Sequence, residues 1–217
     1  MRVVLIHAFP LDDRMWDPQV EALADEDVYI PYLYGLGGNS VDGWAEQVLE
    51  RTEGELLVVG ASLGGYVALA MARTSPDRVG ALLLAGARAT ADPPDRRDLR
   101  DEMLRVVREE GIEGWNREFS PPGPEDRTTE ELIQGIEALR DRRDATEVVT
   151  GFEGPLVMVV GDQDEILPVE EARQIADSAP NGRLEIVEGA GHVVSVDEPE
   201  RFNRILLALL GGTQPNE

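Results

Sequence analysis

The sequence predicts a doubly wound α/β fold on a mostly parallel sheet of about six strands. Three observations lead there. Short apolar runs rich in β-branched residues recur at 3–6, 28–32, 56–59, 79–85, 156–160 and 184–187. Each is followed by a turn signal and then a segment of helical character. The runs are continuous rather than alternating, which suits strands covered by helices on both faces.

The intervening helices are expected at 16–24, 40–51, 63–73, 170–179 and 200–210. Pro199 sits where the first turn of a helix tolerates proline, with Asp197 ahead of it as cap. Between 88 and 154 no strand is legible. Amphipathic helices are expected there at 98–110 and 129–142, with a weaker one at 112–119, and the Pro/Gly-rich stretch 120–125 reads as a loop. An insertion of that size between two strands is usually functional, and it reads as a helical lid on a single domain spanning 1–217.

Composition removes several classes of function. The chain has no Cys, so disulfides, thiolate nucleophiles and Cys-ligated metals are all excluded. His7 and His192 are its two histidines, and neither falls in a metal-binding spacing, so no metal and no cofactor is expected. Against 43 acidic residues stand 20 basic ones, every one of them Arg, giving a net charge of −23. Such a field repels phosphates, which argues against nucleic acid, anionic membrane surfaces and an acidic carrier protein as partners. A GC-rich genome accounts for this composition better than a high-salt interior. The first ten residues carry candidate site residues where a cleavable signal would have its apolar stretch, and no run of about 18 apolar residues occurs, so a cytoplasmic protein is expected. Composition fixes no oligomeric state.

The segment 56–72, LLVVGASLGGYVALAMA, is a buried strand running through Gly60-Ala61-Ser62-Leu63-Gly64 into a helix. This is the GxSxG elbow in the context its chemistry needs: a sharp turn that exposes Ser62 and leaves no room for side chains at Gly60 and Gly64. The bland alternative is a Gly-rich helix cap. Ser62 stands at a helix N-terminus, so the Leu63 N–H points toward the space where an oxyanion would form. A second donor is expected from the loop after the first strand, His7-Ala8-Phe9-Pro10, and Phe9 N–H is the candidate.

A serine hydroxyl is a weak nucleophile at neutral pH and needs a base held in one tautomer by a third group. His192 follows the last strand in Gly189-Ala190-Gly191-His192, on the sheet edge where the elbow emerges. Asp162 and Asp164 both follow the strand at 156–160 and are the candidate acids, a turn-capping role being the alternative for Asp162. His7, in the loop beside the candidate oxyanion donors, is assigned to structure.

With these loops the chain resembles the α/β-hydrolase superfamily, and within it the branch of small lid-bearing serine esterases and enol-lactonases. HAFPLDDRMW, GASLGG and GAGHVVSVDEPERF stand where that branch has HGFPLD with a Trp, GHSMGG, and GAGH followed by an acidic residue and Pro. Arg142, Asp144 and Thr146 match its RxDxT spacing. The resemblance favours Asp164 as the acid, through the spacing from Gly161 to Pro168, and implies a compact sheet without the first two strands of the full fold. Two departures stand out: Ala8 replaces the usual Gly, and Tyr34-Gly35-Leu36-Gly37 lacks the usual Asp and Arg. A Ser at the elbow sets the chain apart from dehalogenases and epoxide hydrolases, which carry Asp there.

The expected activity is hydrolysis of a small or medium ester or lactone through an acyl-enzyme on Ser62, Asp164 and His192. The alternative is a ligand receptor or interaction module that keeps the same residues without turnover. Trp115, Phe119, Met103 and Leu104 are candidate apolar pocket residues, packing of the lid being the competing role. Arg14 and Arg88 are candidates to meet a carboxylate-bearing substrate.

Overall fold

The computed structural model describes residues 1–119 and 126–212, so the predicted loop at 120–125 lies outside the described residues. In chain order the elements are β1 (Arg2–Ile6), a 3₁₀ turn (Asp13–Trp16), α1 (Asp17–Ala22), β2 (Val28–Tyr29), α2 (Leu33–Leu36), α3 (Val41–Glu50), β3 (Leu56–Ala61), α4 (Leu63–Thr74) and β4 (Val79–Ala85). There follow α5 (Pro94–Glu118), α6 (Thr129–Asp141), α7 (Thr146–Gly151), β5 (Leu156–Gly161), α8 (Val169–Ser178), β6 (Gly182–Val187), α9 (Val194–Asp197) and α10 (Pro199–Leu210).

The expected six-stranded sheet is present, in the order β2-β1-β3-β4-β5-β6, and every pairing is parallel. Its strands explain the continuous apolar runs. Along β3, Leu56 and Val58 face one core while Leu57, Val59 and Ala61 face the other. The same alternation holds in β4 and β5, where Leu82, Leu84 and Met158 oppose Leu83, Ala85 and Val159. Helices α3, α4, α7 and α8 cover the first face through Trp44, Val67, Val149 and Ile175. On the second face lie Trp16 with Phe202, Ile205 and Leu206 of α10. A third cluster, Leu104, Val107, Trp115, Leu132 and Ile136, joins α5 to α6 within the insertion.

Several boundaries depart from expectation for local reasons. The second strand stops at Tyr29 instead of reaching 32, because Pro31 has no N–H to give a ladder and the chain turns at once into α2. Helix α5 begins at Pro94, where a proline is tolerated, instead of at 98, and runs to Glu118 with a break at Gly111 (φ 64°, ψ −150°) that divides it into two helical segments, where the sequence expects two helices. Asp197 does not cap α10. The capping position is Glu198, which makes no side-chain cap bond, and the Asp197 carboxylate instead accepts from the Gly191 N–H at 2.9 Å. Among the described residues no helix is long and apolar enough to cross a membrane.

The strand order positions the site. From β1 the chain steps outward to β2 and then returns to the other side of β1 for β3, which makes the carboxyl ends of β1 and β3 a topological switch point. The loop after β1 and the turn after β3 therefore emerge side by side. Phe202, fully buried against Trp16, anchors α10 on the opposite face. Phe202→Ala should lower unfolding free energy by about 3–5 kcal/mol in urea denaturation, against less than about 1 kcal/mol for Leu207→Ala on the exposed side of the same helix. Similar losses in the two variants would contradict the placement of α10.

Candidate active site

Ser62 occupies a backbone conformation of φ 48° and ψ −109°, the one positive φ among non-glycine residues in the described chain. Such a conformation costs about 1–3 kcal/mol and persists only where neighbours enforce it. Here they do. A Cβ on Gly64 would lie 2.0 Å from the Ile6 carbonyl oxygen, and one on Gly60 would lie 2.3 Å from the Gly64 carbonyl oxygen. The two glycines thus let β1, β3 and the start of α4 approach closely enough to hold the turn. Ser62 N–H donates to Ala85 O at 2.7 Å, tying the turn to β4.

Three side chains from three loops meet there. His192 Nε2 lies 3.0 Å from Ser62 Oγ, and His192 Nδ1 lies 3.0 and 2.9 Å from the two carboxylate oxygens of Asp164. The Asp164 side chain is fully buried, and its Oδ1 also accepts from the N–H groups of Ile166 and Leu167 at 2.8 and 2.9 Å. Burial alone would push this carboxyl up, but the His192 hydrogen bond and charge and the two backbone donors outweigh it and hold Asp164 below its usual range. An ionised Asp164 can only accept, so Nδ1 carries the proton and Nε2 is left to accept from the Ser62 hydroxyl. The arrangement is able to withdraw a proton from Ser62 and return it to a departing group. Asp162 is turned elsewhere: its carboxylate accepts from Gly189 N–H at 2.7 Å and braces the turn before His192.

Among the described residues, neither the Phe9 nor the Leu63 N–H has an acceptor. Phe9 is held by the insertion, its ring edge-on to Trp115 at 5.3 Å and so close to α6 that a Cβ on Gly135 would lie 2.2 Å from it. A cavity of about 420 Å³ opens over Ser62 and His192. Its walls include Phe9, Tyr66, Arg88, Met103, Trp115 and Leu139. A cavity of about 500 Å³ lies at the opposite edge of the sheet, against Pro155, Gly182 and Arg183, away from these side chains.

A family model for alpha/beta hydrolases matches residues 3–205. The chain belongs to the alpha/beta hydrolase family. Among solved structures, this hydrolase is similar to a malate-bound thermophilic esterase from Thermogutta terrifontis, with 29% identity, a TM-score of 0.84, and coverage of 98% of this chain and 90% of that one. It is 28% identical to a protein from Serratia proteamaculans named for carbamate hydrolysis, over 92% of this chain and 86% of the relative. Similarity to a pimeloyl-[acyl-carrier protein] methyl ester esterase from Klebsiella pneumoniae is 26% identity, over 95% of this chain and 92% of that one.

Not every candidate from the sequence reaches the hydrolase's cavity. Phe119 packs behind Trp115, ring centroids 5.2 Å apart, and Leu104 is buried in the α5–α6 cluster. Arg14 lies in a neighbouring cleft, bound to Asp12 at 2.6 Å and to Asp126 at 2.7 Å. Arg88 does line the cavity, but its guanidinium is engaged by Glu171 at 2.8 Å and by the Ile166 carbonyl, steadying the loop that carries Asp164. Sequence reading missed Arg96, Arg100 and Asp92, which also line the wall. The signal was spacing: residues 96, 99, 100 and 103 share one helical face, and Arg96 joins it only when the helix starts at the tolerated proline instead of at 98.

Sequence reading also overlooked a buried clamp. Arg127, just before α6, donates to Pro10 O, Asp12 Oδ2 and the Tyr32 hydroxyl, each at 3.1 Å, and stacks over Tyr34. It joins the insertion to the loop that carries Phe9. His7 lies beneath that loop, fully buried: its Nδ1 donates to Ala8 O and its Nε2 accepts from Leu33 N–H, both at 3.1 Å.

Burial lowers the His7 pKa to about 4. The unfolded imidazole takes up its proton near 6.5, so the unfolded state binds more protons between these values and stability falls as pH drops through them. Lowering pH from 6.5 to 4 should remove up to about 3 kcal/mol through His7. In urea titrations His7→Gln should flatten that slope. An unaltered slope in the variant would assign the pH dependence to other groups.

Proposed function

We propose that this hydrolase cleaves small carboxylic esters, lactones included, through an acyl-enzyme on Ser62. The observation that carries the reading is the continuous hydrogen-bonded chain from Ser62 through His192 to buried Asp164, set on a strained elbow beside two unengaged N–H donors. The names of the esterase relatives from Thermogutta terrifontis and Klebsiella pneumoniae support ester chemistry, and a cavity of about 420 Å³ suits a small or medium substrate. The net charge of −23 favours a free small molecule over one carried on an acidic protein.

In the first step Ser62 Oγ forms a bond to the carbonyl carbon while its proton passes to His192 Nε2. Negative charge develops on the carbonyl oxygen, where Phe9 and Leu63 N–H groups donate to it and the N-terminus of α4 adds its field. Asp164 holds the imidazole in the productive tautomer and stabilises the imidazolium. The carbon–oxygen bond to the alcohol breaks and His192 returns the proton to the departing oxygen. Water then repeats the sequence on the acyl-enzyme and frees the acid and Ser62. The insertion at 88–154 serves as a lid that keeps bulk water from this chemistry.

Ser62→Ala should lower turnover of short p-nitrophenyl esters by roughly a millionfold, and Asp164→Asn by about ten-thousandfold. Undiminished hydrolysis by Ser62→Ala would exclude this mechanism. A fluorophosphonate should label Ser62 in the wild-type protein, and the same preparation should complete many turnovers. Labelling without turnover would instead mark a ligand receptor.

The oxyanion assignment has its own test in Gly135→Ala. Helix propensity alone predicts a gain of about 1 kcal/mol for that change, but the new methyl must displace the Phe9 ring. The expected result is a fall in kcat of about tenfold or more with little change in KM, a fraction of what loss of an oxyanion donor costs. Unchanged kcat would remove Phe9 from the hole.

A further inference from the structure

The wall facing Ser62 holds more positive charge than its own acids neutralise. Arg96, Leu99, Arg100 and Met103 present one face of α5 to the cavity. Asp92, whose side chain is 1% exposed, is shared by two guanidinium groups, Arg142 at 2.7 Å and Arg100 at 3.3 Å. Arg142 also donates to the carbonyls of Leu139 and Thr90 and stacks on Tyr66, while its Nε has no acceptor among the described residues. Arg100 has only the Met103 sulfur besides, at 3.6 Å. Burial pushes the Arg100 guanidinium down from its ordinary value while Asp92 pulls it back up. Arg88 is neutralised by Glu171, and Asp197, the other acid on the wall, accepts from Gly191 N–H.

Arg96 differs from all of these. It is half-buried, and its guanidinium takes part in no hydrogen bond or ion pair among the described residues. Arg204 likewise lacks a side-chain partner among the described residues, but it is exposed to water, whereas Arg96 is half-buried on the cavity wall. Among the side chains that line the cavity, Arg88, Arg96 and Arg100 meet Asp92 and Asp197, three positive groups to two negative ones. The surplus is one unit, the complement of a monoanion. A guanidinium fork matches a carboxylate in geometry as well as charge. The acidic exterior disfavours a doubly charged phosphate more than a single carboxylate, and its long-range repulsion is screened beyond about 8 Å at physiological salt.

We propose that the cavity takes esters bearing a free carboxylate away from the scissile bond, and that Arg96, backed by Arg100, receives that group. The inference rests on the Ser62 reading and adds to it a substrate class and a specificity-determining residue. Within the cavity the carboxylate end would lie against α5 while the ester carbonyl sits over Ser62. Recognition of this kind lowers KM for the acid-bearing ester more than it alters kcat.

Two matched pairs test it. Monomethyl glutarate against methyl pentanoate places the charge on the acyl side, and 4-acetoxybutanoate against butyl acetate places it on the alcohol side. The readout is the ratio of kcat/KM for the anionic ester to that for its neutral partner. Wild-type protein should show a ratio of about ten or more in one pair, and Arg96→Gln should lower that ratio about tenfold, mainly through KM. Arg204→Gln, on exposed α10, should leave the ratio as it is. A wild-type ratio at or below one in both pairs would overturn the proposal. So would an Arg96→Gln ratio equal to wild type, including the case where both esters slow together. Failure of the underlying mechanism is separately visible, as hydrolysis that survives Ser62→Ala.

Discussion

The Ile6 carbonyl lies so near the start of α4 that position 64 has room for a hydrogen and nothing larger. That contact fixes the distance between β1 and the elbow, and most of the site follows from it. It enforces the unusual backbone at Ser62, aims Oγ above the sheet edge, and brings the loop after β1 within reach of the same space. The parallel sheet supplies the rest of the frame, since β4, β5 and β6 end on the same edge and carry the acid and imidazole loops with them. A strained residue is tolerable because two extensive cores, one on each face, over-determine its position.

Charge is distributed against the grain of the composition. The chain is strongly acidic, yet its buried polar contacts are organised by arginine: Arg127 at the loop after β1, Arg142 and Arg100 around Asp92, Arg88 at the acid loop. A guanidinium suits these places because its five donors can satisfy carbonyls and carboxylates from several elements at once. The acids mostly face water. What reaches a substrate is therefore set by the interior arginines and not by the net charge that dominates at a distance.

The strands, the elbow and the loops of Asp164 and His192 were legible because each is written locally: a continuous apolar run, then a turn whose residue types admit few conformations. The site's arginines were not, since an Arg at a given position says nothing about which acid it will meet across the fold. Arg14 was a candidate and Arg96 was not, and tertiary placement reverses them: Arg14 is held between Asp12 and Asp126 in a neighbouring cleft, while Arg96 lines the cavity. Asp197 was read as a helix cap from its place before Pro199, whereas a carboxylate two residues ahead of a proline is equally able to serve the loop behind it. The short helices α7 and α9 carry too few residues for periodicity to register.

Arg127 is 3% exposed and owes its burial to acceptors that belong to another part of the chain, Pro10 and Asp12. Phe9 in turn fills the hollow that Gly135 leaves in α6. The insertion and the loop after β1 are thus one inheritance unit, although more than a hundred residues separate them in the sequence. A chimera that took the insertion without the loop would strip the buried guanidinium of Asp12 and the Pro10 carbonyl and leave it Glu131 of α6, at 3.5 Å, as its remaining carboxylate. Recombination within this family is constrained accordingly: the two segments must be exchanged as a pair.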